Sequence, residues 1–275
     1  MGQYQYQPKE PKEEEYEKEL KPEELLELLK KNRKEMLRIK YKKNRLCQRC
    51  HKNEIPKQMQ LSSYSICRDC YLKEKAENNK YMIDVLSKNT NLMFHGNEII
   101  PEKLYLGSVE DSFQKDELKK LNITHILMVG YYLNELYPKD FTYLNFEIDD
   151  NQNEDILKYF IPGIKFIENS KICFCHCIWG KSRSASIVIA YVMYHFKYNY
   201  GDAFLYVRKR RRNAMPNYSF EEQLTDFSSI LKHFDYDLQK VENFINKIYD
   251  SDNYKKEKNL EIGKSENGAK KENNN

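Results

Sequence analysis

Nowhere in the 275 residues does an apolar run reach the roughly 18 that a membrane-spanning helix requires. An apolar segment of the kind that directs secretion is also missing near Met1. These two absences predict a soluble chain placed in the cytoplasm. Charge of one sign is scarce as well: 46 Lys and Arg against 42 Asp and Glu leave +4. That balance does not by itself argue for nucleic acid or a membrane surface as the partner, and nucleic acid is not expected. Position 6 is Tyr where an N-myristoylation signal behind Met1-Gly2 calls for Ser or Thr, so no lipid anchor is expected. No internal repeat is present, which removes the solenoid architectures.

What the chain does contain is concentrated in His176-Cys177-Ile178-Trp179-Gly180-Lys181-Ser182-Arg183-Ser184. Residues 171–175 before it are mostly apolar and read as a buried strand, and the run from Ala185 to Met193 reads as a buried helix. A strand, a Cys-x5-Arg loop and a helix place an anion on a helix N-terminus, ringed by backbone N–H groups. The thiolate is the nucleophile, and Cys177 gains the positive surroundings it needs to ionise from the helix end, the amides and Arg183. A planar guanidinium at Arg183 can hold two phosphate oxygens at once. Ile178, Trp179, Gly180, Lys181 and Ser182 would line the bound phosphate, with Gly180 permitting the tight turn. Ser184 could donate to the Cys177 sulfur and help it leave. His176 is expected to order the loop rather than act as a base.

Every fixed position of His-Cys-x-x-Gly-x-Ser-Arg-Ser is filled, and the chain here resembles the compact dual-specificity phosphatases of the cysteine-dependent protein tyrosine phosphatase superfamily. The resemblance runs from about Asn97 to about Phe234, carried also by Leu104-Tyr105-Leu106-Gly107-Ser108, residues 123–127, Pro216-Asn217, Phe220 and Gln223-Leu224. It implies an α/β fold with a central, mainly parallel sheet flanked by helices and the site at the C-terminal strand edge. It implies a general acid, an aspartate on a loop before a helix. Glu147-Ile148-Asp149-Asp150-Asn151 precedes a helical run from 155 to 167, interrupted by Pro162-Gly163, which should kink it. Counting back from Tyr159-Phe160 selects Asp150, with its neighbour Asp149 as the alternative.

The implied activity is hydrolysis of phosphotyrosine and phosphoserine/phosphothreonine in protein substrates through a phosphocysteine on Cys177, with no metal or organic cofactor needed for turnover. Two other readings remain open: a phosphoinositide or RNA 5′-phosphatase, for which Lys181 is the hint, and a weakly active scaffold working through an N-terminal module.

That module is read from Cys47-Gln48-Arg49-Cys50 and Cys67-Arg68-Asp69-Cys70, two pairs sixteen residues apart. The spacing suits a tetrahedral, structural zinc held by Cys47, Cys50, Cys67 and Cys70 in a zinc-ribbon or treble-clef-like unit that could engage a protein partner. Cys173, Cys175 and Cys177 alternate along a strand and share a face. Cys175 is either a resolving thiol for an oxidised Cys177 or, the better reading, a small core hydrophobe.

The organisation expected is disorder over 1–21, a helix over 22–45, the zinc module over 46–82, a linker over 83–96, the phosphatase domain over 97–235, an amphipathic helix over 236–250 and a disordered tail over 251–275. Residues 208–212, Arg-Lys-Arg-Arg-Arg, end a helical run from about Asp202, where cations suit the helix dipole. They also read as a second anion contact or, last, as a nuclear import signal that would add the nucleus as a location. Ser219 and Glu222 have the spacing of a capping box for the next helix.

Overall fold

The computed structural model describes residues 93–249 apart from Tyr132, together with Glu24 and Glu27. The four cysteines Cys47, Cys50, Cys67 and Cys70 lie outside the described residues, as do nearly all of segment 1–92 and the tail 251–275.

The frame is a five-stranded sheet in the order β1-β2-β5-β3-β4. Its strands are β1 (Asn97–Ile100), β2 (Leu104–Gly107), β3 (His125–Val129), β4 (Thr142–Phe146) and β5 (Cys173–His176). Only β1 is antiparallel; β2, β5, β3 and β4 are parallel neighbours. β5 therefore lies at the centre, paired on both edges and covered on both faces, which is why its sequence is continuously apolar up to His176. The pleat divides the residues: Leu127, Val129, Cys173 and Cys175 join the larger core, while Ile126, Met128 and Phe174 join a smaller one on the opposite face.

The helices are α1 (Lys115–Lys120), α2 (Leu157–Asn169), α3 (Arg183–Phe196), α4 (Tyr200–Arg210), α5 (Tyr218–His233) and α6 (Leu238–Tyr249). The larger core gathers α2, α3, α5 and α6, and the smaller one is closed by Leu118 of α1 with Ile123, Leu133 and Phe141. Every residue of α3 from Arg183 to Met193 is buried, so this helix is the axis around which the others pack. The expected kink at Pro162 is not a break: α2 is continuous through it. A Cβ at Gly163 would stand 2.8 Å from Cγ2 of Ile187, so glycine lets α2 lie close against α3.

α6 presents Val241, Phe244, Ile245 and Ile248 as one apolar stripe that is buried in the same core. Lys165 of α2 pairs with Glu242 at 2.6 Å, and the Tyr249 hydroxyl donates to Asp155 at 2.9 Å.

The cap of α5 differs from the capping-box expectation. Asn217 is its N-cap, accepting from the Phe220 N–H at 3.0 Å, while the Ser219 hydroxyl accepts from Gln223 instead. An Asn two residues earlier serves as well as Ser, and the backbone of 217 has the extended conformation an N-cap requires.

Candidate active site

The loop between β5 and α3 is held from outside by its carbonyls. Val109 N–H donates to Ile178 O at 3.1 Å and Met215 N–H to Lys181 O at 2.7 Å. Between them, Arg211 donates to Trp179 O at 3.2 Å and to Gly180 O at 2.7 Å. Because a trans peptide points its C=O and the following N–H in opposite directions, carbonyls held outward turn the N–H groups of residues 179–182 inward. The Gly180 N–H shows the result, lying 3.2 Å from the Cys177 sulfur. Gly180 itself has φ +62°, and a Cβ there would fall 2.2 Å from Gly107 O, so both conformation and space demand glycine.

The Cys177 thiol is 1% exposed at the floor of this cradle, and the Ser184 hydroxyl also donates to its sulfur, at 3.2 Å. Ser182 occupies the N-cap position of α3 but makes no cap. Its hydroxyl donates to Asp150 Oδ1 at 2.6 Å, so the first amides of α3 remain uncapped and point at the cradle. Arg183 is buried, and its Nε has no acceptor among the described residues; Asp150 Oδ2 lies 3.8 Å away. An orphaned guanidinium donor at the mouth of an amide nest is a position an oxyanion completes.

Asp150 is tethered a second time by the Asn217 amide, at 2.9 Å on the same oxygen, while the Asn217 backbone N–H donates to Ser182 at 3.0 Å. Asp149 is buried and lies close enough to Tyr131 to help raise its pKa, after desolvation and Glu154. The loop carrying both aspartates is closed by Gln223 of α5. Its Oε1 accepts from the N–H groups of Ile156 and Leu157 at 2.8 and 3.0 Å, and its Nε2 donates to Glu154 O at 2.9 Å. Since α2 has no side-chain cap of its own, Gln223 supplies that cap from a distant helix.

His176 is buried against Phe174, its Nδ1 donating to Cys177 O at 3.4 Å, and burial pulls its pKa down to about 4. A neutral imidazole bonded to the loop backbone orders the loop. Burial pushes the Cys173 thiol up to about 12 and holds Cys175 well above the ordinary thiol value. Cys175 donates to Ser184 O at 3.7 Å and belongs to the core.

Of the lining residues named from sequence, Ile178 packs on the smaller core, Trp179 is 69% exposed, Lys181 is exposed and Ser182 is engaged with Asp150. Sequence reasoning missed the roles of Arg211, Asn217 and Gln223. Arg211, inside the basic run, is not a surface charge. It is buried, and beyond the loop carbonyls it donates to Asn97 Oδ1 at 2.9 Å and to His95 O and Leu106 O at 3.3 Å. Arg208 and Arg210 of that run instead lie over the rings of Phe204 and Tyr206.

Among the described residues no group of His, Cys, Asp or Glu is arranged to hold a metal ion, and no helix is long and apolar enough to cross a membrane. Residues 104–230 match the profile of the family described as dual specificity phosphatase, catalytic domain. Dual specificity protein phosphatase 1B of Arabidopsis thaliana is 37% identical over 137 residues, 48% of this chain and 82% of the relative. A rhodanese domain-containing dual specificity protein phosphatase of Dictyostelium discoideum is 35% identical over 138 residues, 49% of this chain but 29% of the relative. The crystal structure of DUSP15 shares 29% identity over 55% of this chain and 95% of that one, with a TM-score of 0.48. The chain thus spans under a third of the length of the Dictyostelium relative and most of the Arabidopsis one. By its identity with the Arabidopsis relative over most of that protein's length, and by the family profile matched across its catalytic loop, the chain belongs to the dual-specificity phosphatase family.

Proposed function

We propose that the protein is a phosphoric monoester hydrolase that dephosphorylates tyrosine and serine/threonine residues of protein substrates. The observation that carries the reading is the joint placement of Cys177, Arg183 and Asp150. The buried thiol sits in an amide nest, the guanidinium has a donor without acceptor, and the carboxylate is fastened to the loop through Ser182. In the proposed first step the Cys177 thiolate attacks phosphorus and the P–O bond to the substrate breaks. Asp150 gives its proton to the departing oxygen, and Arg183 with the loop amides holds the transferring group. In the second step water attacks the phosphocysteine, Asp150 takes the water proton, and the sulfur leaves assisted by the Ser184 hydroxyl 3.2 Å away. The backbone of Ile178, Trp179, Gly180, Lys181 and Ser182 lines the proposed phosphate site, its N–H groups turned inward.

The Cys47, Cys50, Cys67 and Cys70 spacing supports a structural zinc module before the catalytic domain, acting in partner or substrate recognition. The cytoplasm is its proposed location. The test of the catalytic reading is Cys177→Ser in the full chain. Hydrolysis of an aryl phosphate should fall to background while a phosphate analogue such as vanadate is still bound, because the amides and Arg183 survive. Turnover near that of the unaltered protein removes Cys177 from the mechanism. The zinc reading is tested by metal content: one zinc per chain, lost on replacing Cys47 or Cys70, supports it, and a metal-free purified chain rejects it.

A further inference from the structure

Five large apolar side chains are exposed among the described residues: Met93, Trp179, Leu205, Met215 and Tyr218. Scattered exposed apolar residues are ordinary and need no explanation. Three of these five, however, border the cradle. Trp179 is a residue of the loop, Met215 is bonded through its N–H to Lys181 O, and Tyr218 follows Asn217, which holds both Asp150 and Ser182. Their exposures are 69%, 44% and 65%. A rim of Trp, Met and Tyr around a phosphate site combines the residue types most used to anchor a bound polypeptide. The Trp179 backbone is held by Arg211 and the next carbonyl doubly fixes that strand of the loop, so the indole is projected from a rigid base and loses little freedom on binding.

We propose that Trp179, Met215 and Tyr218 form an apolar rim that receives a bulky apolar side chain next to the phosphorylated residue of a polypeptide substrate. The proposal rests on the protein phosphatase reading and narrows its substrate class. A ligand whose surface beyond the phosphate is hydroxyl or further phosphate, such as an inositol phosphate or an RNA end, would leave this rim uncovered. A peptide with an apolar neighbour would cover it while its phosphate enters the loop to which Trp179 belongs and to which Met215 is bonded.

Trp179 is the only tryptophan of the chain, so its emission reports the rim directly. Full-length protein carrying Cys177→Ser is titrated with two phosphotyrosine peptides identical except for Leu or Ser beside the phosphotyrosine. The Leu peptide should bind about tenfold tighter, the scale of burying one apolar side chain, and should move the emission to shorter wavelength. Inorganic phosphate should leave the wavelength unchanged. In otherwise unaltered protein, Trp179→Ala and Met215→Ser should each bring the Leu-over-Ser ratio of kcat/KM close to one. Equal affinity for both peptides, an equal shift with phosphate alone, or emission that depends on protein concentration because a second copy covers the rim would each overturn the proposal. Hydrolysis of both peptides at equal kcat/KM rejects the rim and keeps the phosphatase reading. Hydrolysis of an inositol phosphate with neither peptide cleaved rejects the protein-substrate reading and the rim together.

Discussion

Ser182 donates its hydroxyl to Asp150 at 2.6 Å rather than capping the helix it begins. Two consequences follow from this one bond. The N-terminal amides of α3 stay available to an anion, and the carboxylate of the preceding strand–helix loop is fastened to the rim of the anion site. Phosphate site and candidate acid are thereby built on the same few residues, with Asn217, the N-cap of α5, bonded to both Ser182 and Asp150.

The assignment of the acid predicts a leaving-group signature. Asp150→Asn should slow hydrolysis of phosphoserine or phosphotyrosine peptides by about a hundredfold or more. An activated aryl phosphate, whose oxygen leaves with less help, should lose less. The fall in rate from acidic to neutral pH should flatten in this variant. Asp149→Asn, whose folding is checked separately by thermal unfolding because the side chain is buried, should keep that fall. The opposite pair of profiles would move the acid to Asp149.

Asn217 has two tasks that one substitution separates. Asn217→Asp keeps an oxygen to cap the Phe220 N–H but replaces the amide donor facing Asp150 with a second carboxylate. A like charge beside the carboxyl favours its protonated form, so the acidic-to-neutral decline should move to higher pH. Asn217→Ala should instead lower stability by about 1 kcal/mol through the lost cap. Steady-state rates across pH, read beside thermal unfolding, distinguish the two; an unmoved profile in Asn217→Asp would mean the 2.9 Å contact does not tune the acid.

Some of this was legible in the sequence for a physical reason. β5 and, as far as Met193, α3 are buried, so they read as mainly apolar runs flanking the loop, and β2 and β3 follow because they pair with β5. What was not legible depends on partners distant in the chain. Arg211 looks like any member of a basic run until its acceptors, 31 to 116 residues away, are in place. Gln223 likewise caps a helix 66 residues earlier. Two adjacent aspartates differ only in which one meets Ser182, and a Ser-x-x-Glu spacing matches a capping box whether or not the chain turns at that serine.

Arg211 gives a third prediction. Burial pulls its pKa below the usual arginine value, and it serves five acceptors through three nitrogens, a geometry an ammonium cannot reproduce. Arg211→Lys should weaken vanadate inhibition by tenfold or more and cost about 2 kcal/mol of stability, because loop carbonyls lose their donors. Arg212→Ala, on an exposed neighbour, should change stability by less than about 0.5 kcal/mol. Equal effects of the two would deny Arg211 its place as the clamp.

The last prediction is a cancellation in the acid range. His176, held neutral by burial with a pKa of about 4, is a base that the unfolded chain protonates near 6.5. Between those values the unfolded state carries the extra proton, so stability rises with pH, and acidification from 6.5 to 4 removes on the order of 3 kcal/mol. Asp226 acts in the opposite sense. Burial, and then Glu222, raise its pKa from 3.8 to about 6, so between those values the folded state holds the extra proton and stability falls as pH rises. Partial exposure of Asp226 reduces its share, and the two slopes offset in part. Asp226→Asn should therefore gain stability over the unaltered protein progressively from pH 4 to 6 and lose it more steeply on acidification. His176→Asn should do the reverse, flattening or inverting the slope. Urea unfolding at pH 4, 5, 6 and 7, followed by circular dichroism, measures both. Curves for Asp226→Asn that run parallel to the unaltered protein would show that Asp226 does not hold its proton through this window.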